Sequence, residues 1–118
     1  MRAKDRRGRR GEDLAAARLQ ELGVRVLERN WRSRLGELDI IGAVDDALVV
    51  CEVKTRSSLR YGRPLEAVTE AKVQRMQRLA FQWCALHGIR PPRLRIDVVE
   101  VLMPPGRPPV IDHHPGIA

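Results

Sequence analysis

Residues 36–54 read GELDIIGAVDDALVVCEVK, and this segment predicts two β-strands joined by a short turn. Apolar residues dominate both halves, Leu38–Ile41 and Leu48–Val53, and the second half is rich in the β-branched residues that favour strands. The pair Asp45-Asp46 lies between the halves, where a turn is expected. We therefore predict an antiparallel hairpin whose charged residues lie at the ends of the strands remote from the turn.

Four charged residues occupy those ends, namely Glu37, Asp39, Glu52 and Lys54. Alternate residues of a strand share a face, so the two acids of the first strand point the same way, as do Glu52 and Lys54. A hairpin centred on residues 45–46 places Asp39 directly opposite Glu52, with Cβ atoms about 4.5–5.5 Å apart. The same register places Glu37 opposite Lys54.

Two interpretations of this cluster follow from its charges. Opposed carboxylates repel each other unless a cation or a proton lies between them, and Mg²⁺ is a hard ion that binds one or two carboxylates plus water. The functional interpretation is a phosphodiesterase site, in which Asp39 and Glu52 hold the ion and Lys54 orients the attacking water. The structural interpretation is an exposed hairpin with an ordinary Glu37–Lys54 salt bridge. Spacing alone leaves both open.

The rest of the chain supplies two predicted helices and two more strands. A helix follows Gly11 and ends at Gly23, and its apolar positions imply that Glu12 lies on the buried face. A longer helix, from about Glu66 to His87, has Lys72 on its apolar face. The predicted apolar faces comprise Ala15, Ala16, Leu19 and Leu22 in the first helix and Val68, Met76, Leu79, Ala80 and Trp83 in the second. Strands are predicted at Val24–Trp31 and Leu94–Leu102. The order helix, three strands, helix, strand predicts a layered α/β domain.

Composition bounds the organisation and the partners of the chain. Its 118 residues fit one domain, which we place at residues 11–102, between a basic flexible arm at 1–10 and a proline-rich, extended or disordered tail at 103–118. The net charge of +7 favours an anionic partner such as nucleic acid, although a merely soluble basic protein is the alternative. Aromatic residues are 3% of the chain, which argues against base stacking on aromatic platforms.

Other features of the sequence bear on location and on accessory sites. Two cysteines outside any C-x-x-C pair, and no membrane-length apolar run, favour a reduced cytoplasmic protein, with one disulfide left open. The adjacent His113 and His114 have no third ligand nearby in the proline-rich tail, so we do not predict a metal site there. Arginines flanking the acidic strands are predicted to contact phosphates, with a solvated basic loop as the alternative; they are Arg32, Arg34, Arg56, Arg60 and Arg63.

The motifs GELDII at 36–41 and CEVKTR at 51–56 resemble the D…(D/E)-x-K signature of restriction-endonuclease-like nucleases. The wider chain, over about residues 8–102, resembles the YraN-like family of small bacterial proteins. The other matching segments are GRRGE at 8–12, RNWR at 29–32, YGRP at 61–64, EAV at 66–68, Lys72 and RIDVV at 95–99.

The resemblance implies a restriction-endonuclease-like αβββαβ core, a mixed sheet flanked by helices, related to Holliday-junction resolvases. It implies Mg²⁺ or Mn²⁺ held by Glu12, Asp39 and Glu52, with Lys54 as a further catalytic residue. Glu37 and Lys72 are expected to support the ligands or to face phosphate. The expected substrate is DNA, branched or damaged, and a homodimer is expected by analogy with resolvases. Alternatives are a non-catalytic nucleic-acid-binding module and a basic adaptor that retains the fold.

Overall fold

The computed structural model describes residues 3–57 and 68–118, with side chains from residue 8 onward. The elements are α1 (Ala3–Glu21), β1 (Arg25–Ser33), β2 (Gly36–Val44), β3 (Ala47–Arg56), α2 (Glu70–His87), β4 (Arg93–Leu102) and β5 (Val110–His114). Within these residues, neither helix combines the length and the apolar composition that crossing a membrane requires.

The five strands form one mixed sheet in the order β1-β2-β3-β4-β5. β2 pairs antiparallel with both β1 and β3. β3 and β4, which α2 connects in the sequence, pair parallel, and β5 pairs antiparallel with β4. The predicted α/β class and the αβββαβ order are therefore confirmed, with one strand added at the end.

The two helices cover opposite faces of the sheet, and each face has its own apolar core. The core under α2 contains Leu38, Ile41, Leu48, Val50, Ile96, Met76, Leu79, Ala80, Trp83 and Cys84. The core under α1 contains Ala15, Ala16, Leu19, Val24, Ile40, Cys51, Val99 and Val101. Because Cys51 and Cys84 lie in different cores, the sheet separates them, and both are free thiols.

The predicted hairpin is present, with its turn at residues 45–46. The last pair before the turn is Val44–Ala47, and Asp45 adopts a positive φ of 52°. Asp tolerates this left-handed conformation better than most residues because its short polar side chain can hydrogen-bond locally. The turn residues in the sequence therefore marked the correct place.

The start and the end of α1 differ from prediction. The helix begins at Ala3, so most of the segment predicted as a flexible arm is helical, in keeping with the good helix propensity of arginine. It ends at Glu21, and Leu22, predicted to be buried, is 56% exposed in the following turn. Thr69 caps α2, its side chain accepting the Lys72 N–H; the predicted start at Glu66 lies outside the described residues.

The C-terminal segment is part of the sheet, contrary to the prediction of an extended or disordered tail. β5 pairs with β4 from Val110 to His114, and Ile96 exchanges backbone hydrogen bonds with Ile117 and Ala118 at 2.8 and 2.9 Å. The tail prolines fall at 104–109 and at 115, so residues 110–114 keep every backbone N–H that a strand needs.

Candidate active site

Asp39 lies at the place where β2 and β3 stop pairing. The last pair of their ladder is Ile40–Cys51, and the Asp39 Oδ2 accepts the backbone N–H of Val53 at 2.8 Å. Leu38 packs under α2 whereas Ile40 packs under α1, so the alternation of faces breaks at Asp39. Asp39 and Glu52 are therefore not the directly opposed ladder pair that was predicted; the Asp39 side chain replaces the next ladder hydrogen bond.

Glu52 is a buried carboxylate held between two lysines. It is 8% exposed, and its Oε1 accepts a hydrogen bond from Lys72 Nζ at 2.7 Å. Lys54 Nζ lies 3.2 Å from the same oxygen. The prediction that Lys72 faces the sheet is thus confirmed, because a residue of α2 reaches a carboxylate of β3.

Asp39 and Glu52 line a common cleft between the sheet and α2. The cleft has a volume of about 310 Å³, and its lining residues are Gly36, Glu37, Asp39, Glu52, Lys72, Arg75, Met76 and Leu79. Two acids that were predicted to act together are therefore accessible from one side of the sheet. The lining also includes Glu37 and two basic side chains of α2.

The environment of Asp39 disfavours its charged form. Burial, followed by the negative charge of Glu52, raises the pKa of Asp39 to about 7, although the hydrogen bond from Val53 opposes the change. Weaker contributions in the same direction come from Glu12 and Glu37. A carboxylate in this position gains from either a proton or a cation.

Lys72 stays protonated at neutral pH. Burial lowers the pKa of this lysine, but the hydrogen bond and the negative charge of Glu52 outweigh burial and raise it above its ordinary value. The ammonium group therefore partly balances the acids of the cleft.

Glu12 is buried as predicted, at 8% exposure, but other residues hold its carboxylate. Its Oε1 accepts hydrogen bonds from Arg29 Nε at 3.1 Å and from Asn30 Nδ2 at 2.8 Å. Among the described residues, the oxygens of Glu12, Asp39 and Glu52 do not all lie within 4.8 Å of one another. The three predicted metal ligands are near enough for Glu12 to affect Asp39 electrostatically, but they do not form one compact group.

Glu37 pairs with a different strand from the one predicted. Its Oε2 lies 2.9 Å from Arg32 Nε, and the two residues are register partners across β1 and β2. The prediction that Glu37 lies opposite Lys54 is wrong, because the β2–β3 ladder ends before either residue. The structural interpretation of the hairpin required a Glu37–Lys54 salt bridge, whereas Glu37 forms its salt bridge with Arg32.

The predicted phosphate-binding arginines have different environments. Arg34 is exposed near the β1–β2 turn, whereas Arg32 is engaged by Glu37. Arg56 is half-buried and donates to its neighbour, the Thr55 carbonyl oxygen, at 3.4 Å. Arg60 and Arg63 lie outside the described residues.

Sequence reasoning missed several residues that shape this region. Arg75 lines the cleft, and its position three residues after Lys72 could have placed both on one helix face. Arg29 and Asn30, which hold Glu12, lie in the RNWR segment of the family resemblance, but no spacing in the sequence assigned them this contact; Asn30 adopts a positive φ of 56°.

Asp97 is a third buried carboxylate among the described residues; its burial was not predicted, and it has no exposed surface. Its two oxygens accept from Arg95 Nε and Nη2 at 2.9 Å each, from the Gly116 N–H at 3.0 Å, and contact His113 Nε2 at 2.6 Å. His113 therefore fastens the C-terminal segment to β4.

Comparison with known proteins identifies the family of the chain. A family model described as "Uncharacterised protein family UPF0102" matches residues 11–101. A UPF0102 protein of Arthrobacter sp. (strain FB24) is 51% identical over 117 residues, covering 99% of each chain. UPF0102 proteins of Kineococcus radiotolerans and Streptomyces griseus are each 50% identical over 119 residues, covering all of this chain and 98% and 100% of theirs. The chain therefore belongs to UPF0102, the YraN-like family that its motifs resemble.

Proposed function

We propose that this protein is a Mg²⁺- or Mn²⁺-dependent endonuclease that hydrolyses phosphodiester bonds in DNA. The observation that carries the proposal is one cleft that contains a buried carboxylate, Glu52, and a half-buried one, Asp39, beside the ammonium group of Lys72, with Lys54 adjoining Glu52. The D…(D/E)-x-K resemblance to restriction-endonuclease-like nucleases supports the same chemistry.

The residues of the cleft fit a hard divalent cation. Among the described residues, the Val53 N–H donates a hydrogen bond to Asp39, while burial and the negative charge of Glu52 raise the pKa of Asp39 to about 7, so a bound cation would be favoured there. Carboxylate oxygens are the ligands that Mg²⁺ prefers. We assign Asp39 and Glu52 as the residues that would hold the ion, which when bound supplies Lewis acidity and neutralises charge on the phosphate.

The two lysines have separate proposed roles in this cleft. The Lys54 ammonium group, 3.2 Å from Glu52, is the group that we assign to orient a water molecule for attack on phosphorus. Lys72 reaches Glu52 from α2 across the cleft, and its positive charge would be available to a phosphate oxygen if Glu52 held the ion. Glu12, held by Arg29 and Asn30, contributes its negative charge from the side of α1.

The charge of the whole chain supports a polyanionic substrate. The net charge is +7, and Arg75 lines the cleft while Arg34 is exposed near the start of β2. Arginines at these positions can bind the phosphates that flank the cleaved bond, which positions the substrate without reading its sequence. Branched or damaged DNA is the substrate that the resemblance to resolvases favours.

The decisive experiment compares cleavage by the untagged full-length chain and by two isosteric variants. With junction, flap, nicked, single-stranded and RNA substrates, we expect Mg²⁺- or Mn²⁺-dependent cleavage that falls by at least about 10³-fold in Asp39→Asn and Glu52→Gln, a loss typical of removing a principal source of charge stabilisation. Glu21→Gln, an exposed residue of α1, is the matched control and should cleave normally. No cleavage by the natural chain on any substrate would contradict the proposal.

A second function is favoured by the two lysines that Glu52 already binds. Their charges balance this acid without any metal ion, as expected of a nucleic-acid-binding module that retains the fold. Calorimetric titration with Mg²⁺ separates the two functions. An enzyme should bind the ion, and Glu52→Gln should weaken that binding, whereas a non-catalytic module should bind DNA in a salt-dependent manner indifferent to Mg²⁺.

A further inference from the structure

We propose a second metal site, for a transition-metal ion such as Zn²⁺, formed by Glu100, Asp112 and His114. The site lies between β4 and β5 and is separate from the Mg²⁺ site proposed above. One ligand atom from each of the three side chains lies within 4.8 Å of the other two.

The sheet register accounts for this convergence. Glu100 and Asp112 are direct partners in the antiparallel β4–β5 ladder, and His114 follows Asp112 by two residues, so both side chains of β5 share one face. Antiparallel partners are the closest neighbours that a sheet provides, and the alternate residue on the same face adds a third donor. The backbone therefore orients all three donors.

The distance between two of the donors suits a common ion. His114 Nε2 lies 3.5 Å from Glu100 Oε1. Two ligands bonded at about 2.1 Å to one tetrahedral Zn²⁺ are about 3.4 Å apart. The observed separation thus allows an ion between them without movement of the strands.

The imidazole nitrogen also lacks a hydrogen bond. His114 Nε2 is buried, and within the described part of the chain it has no hydrogen-bond partner although the Glu100 carboxylate is close. A buried polar atom without a partner is costly, and binding of a metal ion to its lone pair would remove that cost. This nitrogen is the second observation, besides the clustering of donors, that points to a ligand.

The donor set selects the class of ion. Mg²⁺ prefers oxygen ligands, whereas an imidazole nitrogen combined with carboxylates suits Zn²⁺ and the neighbouring transition metals. Three protein ligands leave a coordination position open to water.

The two proposed sites share a sheet face but not a ligand. Glu100 is the parallel register partner of Lys54 on β3, which places it on the side of the sheet that carries Glu52. β4 is the neighbour of β3, so the backbone that carries Glu100 is one strand spacing, about 5 Å, from β3, whereas β5, with Asp112 and His114, is two spacings, about 10 Å, from it. Zn²⁺ in the second site would fasten β5 to β4 and hold the C-terminal segment against the sheet.

The test uses the untagged full-length chain and titration calorimetry with Zn²⁺, supported by the visible absorption of bound Co²⁺. We expect one Zn²⁺ per chain, at least about tenfold weaker binding in His114→Asn and in Asp112→Asn, and a Zn²⁺-dependent rise in melting temperature that both variants lose. His87→Asn is the matched histidine control on α2, and Glu52→Gln controls for the cleft; both should bind Zn²⁺ at this site as the natural chain does.

Two results would overturn the proposal. One is absence of stoichiometric Zn²⁺ binding in the natural chain, which would leave His114 as a simple ion-pair partner of Glu100. The other is equal binding by His114→Asn, Asp112→Asn and the natural chain. Asp112 is exposed, so Asp112→Asn should fold even where another variant does not. Because Glu52→Gln should abolish cleavage and leave this site intact, failure of one proposal is distinguishable from failure of the other.

Discussion

Two aspartates of this sheet, the fully buried Asp97 and the half-buried Asp39, differ in how their charge is compensated. Asp97 has contacts from Arg95, His113 and the Gly116 N–H at its two oxygens, all within 3.0 Å. Asp39 accepts a hydrogen bond from the Val53 N–H. After burial, the largest influence on the pKa of Asp39 is the negative charge of Glu52. Asp97 is surrounded by donors, whereas the charge with the largest effect on the pKa of Asp39 is a negative one.

This difference separates a structural acid from a candidate functional one. Burying a carboxylate is costly unless hydrogen bonds and a counter-charge compensate it. Around Asp97 the compensation comes from the chain itself and joins the C-terminal segment to β4. Around Asp39, within the part of the chain that the structure describes, the Val53 N–H supplies compensation and the charge of Glu52 opposes it, a setting that favours a proton or a cation. Among the described residues, a candidate functional acid therefore differs from a structural one in how its charge is compensated, not in burial alone.

The largest expected effect tests the functional side of the comparison. Lys54→Met should lower the rate of DNA cleavage by about 10³-fold, within the range for loss of a group that assists proton transfer, while Mg²⁺ binding persists. Single-turnover cleavage with calorimetry measures both quantities. Arg18→Met removes a positive charge from the surface of α1 and should leave the rate unchanged. A Lys54→Met variant that cleaves normally would show that Lys54 has no catalytic role.

The next effect tests the structural side. Asp97→Asn should lower the free energy of unfolding by about 3 kcal/mol, because it leaves the buried Arg95 contact without its counter-charge. Urea denaturation without divalent ions measures this loss. Asp46→Asn disrupts the exposed Arg93–Asp46 pair instead and should cost less than about 1 kcal/mol. Equal losses in Asp97→Asn and Asp46→Asn would show that the contacts of Asp97 stabilise the fold no more than an exposed ion pair does.

At Asp39, unlike Asp97, the negative charge should lower the free energy of unfolding, and the pH dependence of stability should show this. Its pKa is about 7 in the folded chain, above the ordinary value of 3.8, so the folded state binds more protons than the unfolded state between those pH values. The contribution of this group to the free energy of unfolding therefore falls as pH rises from about 4 to 7, by the order of a few kcal/mol.

Asp39→Asn should remove that part of the pH dependence and should not destabilise the chain at pH 8 in EDTA. Urea denaturation at pH 5 and at pH 8 measures the effect as a difference between the variant and the natural chain, so that other titrating groups cancel. Mg²⁺ should stabilise only the natural chain, and more strongly at pH 8, since the proton competes with the ion. A variant with the same pH profile as the natural chain would show that Asp39 is not the titrating group.

The smallest effect concerns the surface that surrounds the cleft. Arg34→Ala should weaken DNA binding equally for different sequences and reduce the slope of log affinity against log salt by about one. Fluorescence anisotropy over a range of salt concentrations measures that slope. Arg93, whose partner is Asp46 near the β2–β3 turn, is the control position, and Arg93→Ala should change the slope less.

Much of the fold could be predicted from local patterns. The β-branched residues before Glu52 and the Asp45-Asp46 turn indicated the hairpin, and helical periodicity indicated the buried faces of α1 and α2. Local patterns gave wrong predictions in two places. The prolines on both sides of β5 led to the prediction of an extended or disordered tail, and the clustered charges at the start of α1 led to the prediction of a flexible arm. In both places residues suited to regular structure lay next to residues that are typical of disorder.

The candidate site could be predicted only in part. The motif that contains Glu52 and Lys54 predicted that they act together, since two residues of separation on a strand fix a shared face. It could not predict that Lys72 of α2 would bind Glu52, or that Arg29 and Asn30 would hold Glu12. Those contacts join residues 17 to 20 positions apart, through geometry that depends on how helices pack on the sheet.

The amino-acid sequence by itself determined which residues form strands, which faces are apolar and which acidic and basic groups share a strand, because these properties depend on periods of two to four residues. Tertiary structure alone decided which charges are compensated. It directed Arg95 and His113 to Asp97, left Asp39 beside Glu52, and placed Glu100 next to Asp112 on β5. The physical reason is that compensation of a buried charge depends on distances of a few ångströms between segments that the chain brings together only when it folds.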